Sequence, residues 1–116
     1  KATSEKIFSE TKDLVSSVFT LIQQEKKKFD QGKYDNILDK LGNVFENLKQ
    51  QAEGSAQLLN QVQSLEAQRK KLAGEVAEKA KSRDVPPEEV DAINEEIDAL
   101  THRAEELLQQ MEEKGR

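Results

Sequence analysis

The sequence predicts an all-α fold built from antiparallel coiled-coil hairpins, and three observations lead to that prediction. Apolar residues recur at steps of three and four along most of the chain, which is the spacing of a helix seam. Hydrophobic residues make up 34% and charged residues 35% of the 116 residues, a balance that suits long helices burying one stripe each. Strand-like runs of β-branched and aromatic residues are absent.

The first helix is predicted over about residues 3–31. Its apolar seam is interrupted by two polar residues and reads Phe8, Thr11, Val15, Val18, Ile22, Glu25 and Phe29. Gly32 follows the last turn of this seam, where a left-handed residue commonly ends a helix. We therefore expect Gly32 to be the left-handed residue that ends the first helix.

The second helix is predicted over 34–81, with a weak point at 53–55, where Gly54 disfavours helix. Its seam reads Tyr34, Leu38, Leu41, Phe45, Leu48, Ala52 and Ser55, and resumes as Leu58, Val62, Leu65, Arg69, Leu72, Val76 and Ala80. Arg69 is the charged member of this seam. We expect it to extend to a carboxylate of the third helix, to set the pairing register, or both.

The third helix is predicted over 87–113, after a clear break at Pro86 and Pro87. Proline is tolerated in the first turn of a helix, and the acidic residues that follow it, Glu88 and Glu89, favour the helix dipole. Its seam reads Val90, Ile93, Ile97, Leu100, Ala104, Leu107 and Met111.

The seams match as mirror images, which predicts two antiparallel hairpins. Phe29 would face Tyr34, Val15 would face Leu48, Thr11 would face Ala52, Leu65 would face Ala104 and Leu72 would face Ile97. Charge supports the second hairpin, because residues 57–83 carry six basic and three acidic residues whereas 84–116 carry three basic and eleven acidic ones.

Two arrangements of a single domain over 1–116 follow from this pairing. In an elongated segmented coiled coil, the second helix runs unbroken for about 72 Å at 1.5 Å per residue. In a closed four-helix bundle, the chain folds back at Gly54 and the two hairpins share one core.

The first hairpin carries apolar residues beyond its seam. Such a strip is unfavourable in water by roughly 25 cal/mol per Å² and needs a cover. Residues 1–56 also carry nine lysines and nine acidic residues, so no net charge repels a neighbour. We predict a partner-binding or self-association strip formed by Ile7, Leu14, Leu21, Ile37 and Val44.

No pattern of catalytic, cofactor-binding or metal-binding residues stands out, and we expect the chain not to be an enzyme. His102 is the one histidine and no cysteine is present, which leaves no metal set or catalytic dyad. The glutamate pairs of the third helix, at 88/89, 95/96 and 105/106, are expected to form a solvated face.

Charge and hydropathy restrict the expected partners. The net charge of −5 argues against nucleic acid, which needs a basic face, although Lys26, Lys27, Lys28 and Lys33 form a small basic patch. No apolar run is long enough to span a bilayer, and no small-molecule substrate is expected. The expected compartment is the cytoplasm, and the absent initiator methionine suggests a fragment or a processed chain.

The leading prediction is a non-enzymatic protein-interaction or scaffolding module that acts through coiled-coil surfaces. Residues 20–52 resemble the flagellar export chaperones, whose resemblance implies a small helical chaperone that shields an amphipathic client segment. Residues 64–112 resemble the tRNA-binding helical arm of seryl-tRNA synthetases, which implies RNA contact. These two resemblances supply the alternative functions: a secretion-type chaperone and a nucleic-acid-binding arm.

Overall fold

A computed structural model describes residues 2–24, 29–82 and 84–114, and within them the chain forms four α-helices and no strand. The helices are α1 (Ala2–Gln24), α2 (Gln31–Gln51), α3 (Ala56–Ala80) and α4 (Pro87–Lys114). The all-α prediction is therefore confirmed for the described part of the chain.

Helix α2 begins earlier than the sequence pattern predicted. Asp30 is its N-cap, and the Asp30 side chain accepts a hydrogen bond from the backbone amide of Lys33 at 3.3 Å. Gly32 thus lies in the first turn of α2 without a positive φ, so its expected role as the left-handed residue that ends the first helix was wrong. An aspartate cap satisfies an amide that the first turn of a helix leaves unpaired. Residues 25–28 of the predicted first helix lie outside the described residues.

The chain folds back between α2 and α3, so the unbroken helix expected for the elongated arrangement is not present. Gly54 has a φ of +92°, a left-handed conformation that other residues rarely adopt. Ser55 then caps α3, its hydroxyl accepting from the amide of Leu58 at 3.4 Å. The predicted weak point at 53–55 is thus a turn between two helices.

The four helices surround one core and give a molecule of 49 × 25 × 17 Å. Helix α2 contacts the other three helices, and α4 also contacts all three. Helices α1 and α3 lie on opposite sides and each packs against α2 and α4. The largest fully buried side chains come mainly from α2 and α4, and they are Tyr34, Phe45, Ile37, Leu38, Leu41, Leu48, Leu72, Ile93, Ile97, Leu108, Val18 and Val44.

Polar groups inside the core are paired with one another. The Tyr34 hydroxyl donates to the Asn94 side-chain oxygen at 2.7 Å, which joins α2 to α4. The Thr101 hydroxyl donates to the Ile97 carbonyl at 2.6 Å. Among the described residues, no buried side-chain nitrogen or oxygen is left without a hydrogen-bond partner. Because an unpaired buried polar group costs about 1–3 kcal/mol, this pairing is a condition for burying these residues.

The pairing of α3 with α4 agrees with the mirrored seams. Lys79 and Glu89 form an ion pair of 2.7 Å next to the turn. Farther along, Leu65 borders the same groove as Arg103 and Leu107, on either side of its predicted partner Ala104.

The pairing of α1 with α2 agrees only near the turn that joins them. The rings of Phe29 and Tyr34 lie 5.5 Å apart, as their predicted pairing requires. Thr11, however, accepts a hydrogen bond from Asn47, whereas the seam paired it with Ala52. The difference of five residues is about 7.5 Å along a helix. The far end of this pair is therefore staggered relative to the prediction.

Candidate interaction surface

The predicted partner-binding strip is divided between the core and the surface. Ile37 and Val44, on α2, are only 1% and 0% exposed and belong to the core that all four helices share. Neither side chain is accessible to a partner in this fold, because the second hairpin folds back over the first. The sequence pattern could not predict this burial, since either arrangement of the hairpins was compatible with it.

The α1 members of the strip lie at the protein surface. Ile7, Leu14 and Leu21 are half-buried, and Leu14 and Leu21 pack against the edge of the core. They follow one another at intervals of seven residues, so they form a line along one side of the helix. We call these three residues the α1 strip.

Partly buried large apolar residues are concentrated on α1. Phe8 and Phe19 add to the three members of the α1 strip, whereas α2 and α4 have their large aliphatic and aromatic side chains buried. No large apolar residue among those described is fully exposed. Helix α1 therefore has the least completely covered apolar surface of the described helices.

Besides the α1 strip, the surface has a long open groove between α3 and α4. Its floor is apolar and is formed by buried residues, which are Leu65, Leu72, Ile93, Leu100 and Leu107. Small residues, including Ser64, Gly74 and Ala99, are also part of its lining. Its rim is charged and carries both signs. The groove is open to solvent along its length, which does not suit the enclosure of a small substrate.

Glu96 is the titratable group of this groove with a shifted pKa. Although the residue is largely exposed, its position at the groove removes part of the water around its carboxyl, which raises the pKa above the ordinary value, and the nearby negative charge of Glu75 raises it further. Lys71 and Lys79 lower it but do not cancel the increase. The two glutamates thus oppose each other across the α3–α4 groove.

The sequence pattern suggested that Arg69 extends to a carboxylate of the C-terminal helix. In the structure, Arg69 has other partners. Its guanidinium donates to Glu66 on its own helix, with the Nε to Oε1 distance at 2.6 Å, and to the Leu38 carbonyl of α2 at 3.3 Å. The pKa of Arg69 is raised, mainly by this hydrogen bond with Glu66, although burial acts in the opposite direction. The charged member of the seam therefore joins α3 to α2.

Gly42 makes room for Arg69, a role that the apolar spacing did not indicate. A Cβ atom built at position 42 would lie 3.3 Å from the Arg69 Cζ atom. The signal was a glycine in the interior of a helix, where it costs roughly 1 kcal/mol relative to alanine. Such a position often reflects the close approach of a neighbouring group.

His102 lies on the surface, as its position between two seam residues predicted. Its ring centroid is 4.8 Å from that of Phe19 on α1, and its side chain is 58% exposed. Asp98 and Glu105 lie within 3.5 and 3.9 Å of its two ring nitrogens. His102 therefore packs at the edge of the α1–α4 interface.

Over the described ranges, no group of three or more histidine, cysteine, aspartate or glutamate residues is placed to hold a metal ion. Glu88, Glu95, Glu96 and Glu106 are exposed, whereas Glu89 pairs with Lys79.

Lys26, Lys27 and Lys28 of the predicted basic patch lie outside the described residues. None of the four described helices is long and apolar enough to cross a membrane.

Comparisons with known proteins supply no relative: no family model, no curated protein and no solved structure matches the chain.

Proposed function

We propose that this protein is a non-enzymatic interaction module, in which a closed antiparallel four-helix bundle presents the α1 strip to an amphipathic helix of another protein. The observation that carries the proposal is the incomplete burial of Ile7, Leu14 and Leu21, which lie beside the buried face of α1. Binding would remove the exposed part of these side chains from water.

The geometry of the strip favours a helix as the partner. Residues spaced by seven lie in a line along α1, and a partner helix presents its own apolar residues with a matching repeat. The exposed residues beside the strip include Lys6, Glu10 and Asp13, so charges of both signs flank it. Charges of this kind select a partner with mixed charge rather than a strongly basic or acidic one.

Two alternative functions involve other partners. A secretion-type chaperone would use the same strip to shield a client segment before delivery, and its client would be released rather than retained. A nucleic-acid-binding arm would need a basic surface, but exposed Asp91, Glu95, Glu106 and Glu113 make the solvent face of α4 acidic. The charge therefore favours a protein partner.

The test replaces two strip residues and compares binding with a matched control. Ile7→Glu with Leu14→Gln makes the strip polar, whereas Gln57→Glu with Ser64→Gln alters exposed positions on α3. We expect the strip variant to keep its helicity, measured by circular dichroism, and to lose a bound protein that the wild type and the control retain in pull-down. Cross-linking mass spectrometry should then map the contact to a helix of that protein.

Two outcomes would contradict the proposal. If the strip variant binds the same proteins as the wild type, α1 is not the interface. If it unfolds instead, Ile7 and Leu14 belong to the core, and their partial exposure has no role in binding.

A further inference from the structure

We propose that the turn at residues 52–55 is a hinge through which two copies of this chain exchange hairpins. The first hairpin consists of α1 and α2, and the second of α3 and α4. In the exchanged dimer, α2 and α3 of one copy join into a single helix over 31–80. The second hairpin of each copy then packs on the first hairpin of the other. This inference does not depend on the α1 strip.

The closed turn is maintained by few interactions. Gly54 is exposed at a φ of +92°, and a Cβ atom built on it would meet nothing within 4 Å. The Ser55 amide donates to the Ala52 carbonyl at 3.0 Å, and the Ser55 hydroxyl accepts from the Leu58 amide at 3.4 Å. Ala52 and Glu53 are good helix formers. The turn therefore depends on one left-handed glycine and one serine cap.

The apolar seam continues through this turn at helical spacing. Leu48, Ala52, Ser55, Leu58 and Val62 follow one another in steps of three and four, and all but Ser55 are buried. A continuous helix through the turn would keep the apolar residues of α2 and α3 on neighbouring sides. No polar run would have to enter the core.

The interface of the exchanged dimer already exists within one molecule. The helix pairs α1–α4, α2–α3 and α2–α4 join the two hairpins and form their interface. Specific links across it include the ion pair of Lys12 with Glu112 at 2.8 Å and the hydrogen bond of Arg69 to the Leu38 carbonyl. A second copy supplies the same surfaces, so only the turn and the protein concentration decide between the two forms.

The test changes the turn and measures the mass in solution. Gly54→Ala with Ser55→Ala disfavours the left-handed residue, removes the cap and favours a continuous helix. We expect this hinge variant to form a stable dimer of about twice 13.1 kDa by light scattering, whereas the wild type purified at low concentration is monomeric. Gly74→Ala, at an exposed glycine inside α3, is the control and should leave the mass unchanged.

Cross-linking distinguishes exchange from ordinary association. The chain has no cysteine, so paired cysteines can be introduced at Lys12 and Glu112 and joined by a short thiol cross-linker. This pair should become linked within one chain in the wild-type background and between two chains in the hinge variant. A control pair at Lys79 and Glu89 lies within the second hairpin and should become linked within one chain in both backgrounds.

The proposal fails if the hinge variant stays monomeric at millimolar concentration, or if its dimer carries the cross-link between Lys12→Cys and Glu112→Cys within one chain. Loss of helicity in the hinge variant would also count against it, because the joined helix should increase helicity. As a second measurement, concentrated wild type is warmed to its unfolding midpoint and cooled. A stable dimer with the between-chain link is expected, and recovery of monomer alone overturns the proposal.

Discussion

At the scale of single residues, Gly42 is unfavourable within a helix but leaves space for the side chain of Arg69. Gly42 weakens α2 as a helix, yet the guanidinium of Arg69 lies against it and donates to the Leu38 carbonyl. Gly74, in α3, is also helical but has open space where a Cβ atom would be. Both glycines are thus helical, but only Gly42 has a neighbouring side chain that an added methyl group would meet.

Alanine substitution should separate the two roles. Gly74→Ala should raise the free energy of unfolding by about 0.5–1 kcal/mol, the usual advantage of alanine in a helix. Gly42→Ala should gain less or be destabilising, because the new methyl group pushes Arg69 away from Leu38. Urea denaturation of both variants measures the difference. Equal gains would show that Arg69 moves aside at no cost and that Gly42 does not create its site.

At the scale of helices, Glu96 in the α3–α4 groove makes the stability of the fold depend on pH. In the folded protein the pKa of Glu96 is raised, mainly by burial and then by Glu75. Between its ordinary and its raised pKa, the folded state binds more protons than the unfolded state. Glu96 therefore lowers stability as pH rises through that range, and the loss is complete above it.

Removing this charge should stabilise the protein near neutral pH. Glu96→Gln is expected to raise the thermal midpoint at pH 7, and the advantage should disappear as pH falls below the carboxyl range. Glu95→Gln removes the same charge at a neighbouring exposed position and serves as the control. Identical pH profiles for the two variants would mean that the groove does not disfavour the Glu96 carboxylate.

Helix seams were predictable because burial imposes a period of three and four on the sequence. That period located α4 within about one residue, and Leu65 of α3 borders the same groove as Arg103 and Leu107, which flank its predicted partner Ala104. Helix ends were less predictable. Asp30 and Ser55 set the starts of α2 and α3 through hydrogen bonds from backbone amides to their side chains, and the spacing of apolar residues carries no information about such bonds. The partner of Arg69 was also missed, because a seam position can face either neighbouring helix.

At the scale of the whole molecule, the contact between the two hairpins determines which apolar residues remain accessible. The apolar spacing groups Ile37 and Val44 with Leu14, because all three lie beside the first seam. Folding back at Gly54 buries the two α2 residues and leaves the α1 strip half-buried. Local patterns could not predict this, since a seam specifies its own partner but not how two hairpins combine.

Small-angle X-ray scattering of the wild-type monomer tests the closed arrangement most directly. The described Cα atoms have a radius of gyration of 14.9 Å, and hydration should raise the measured value only slightly. The closed arrangement predicts a value of about 15–17 Å, consistent with a compact domain of this length. A monomer with α2 and α3 joined would be about 75 Å long at 1.5 Å per residue, with a radius of gyration above roughly 20 Å. That larger value would contradict the closed arrangement.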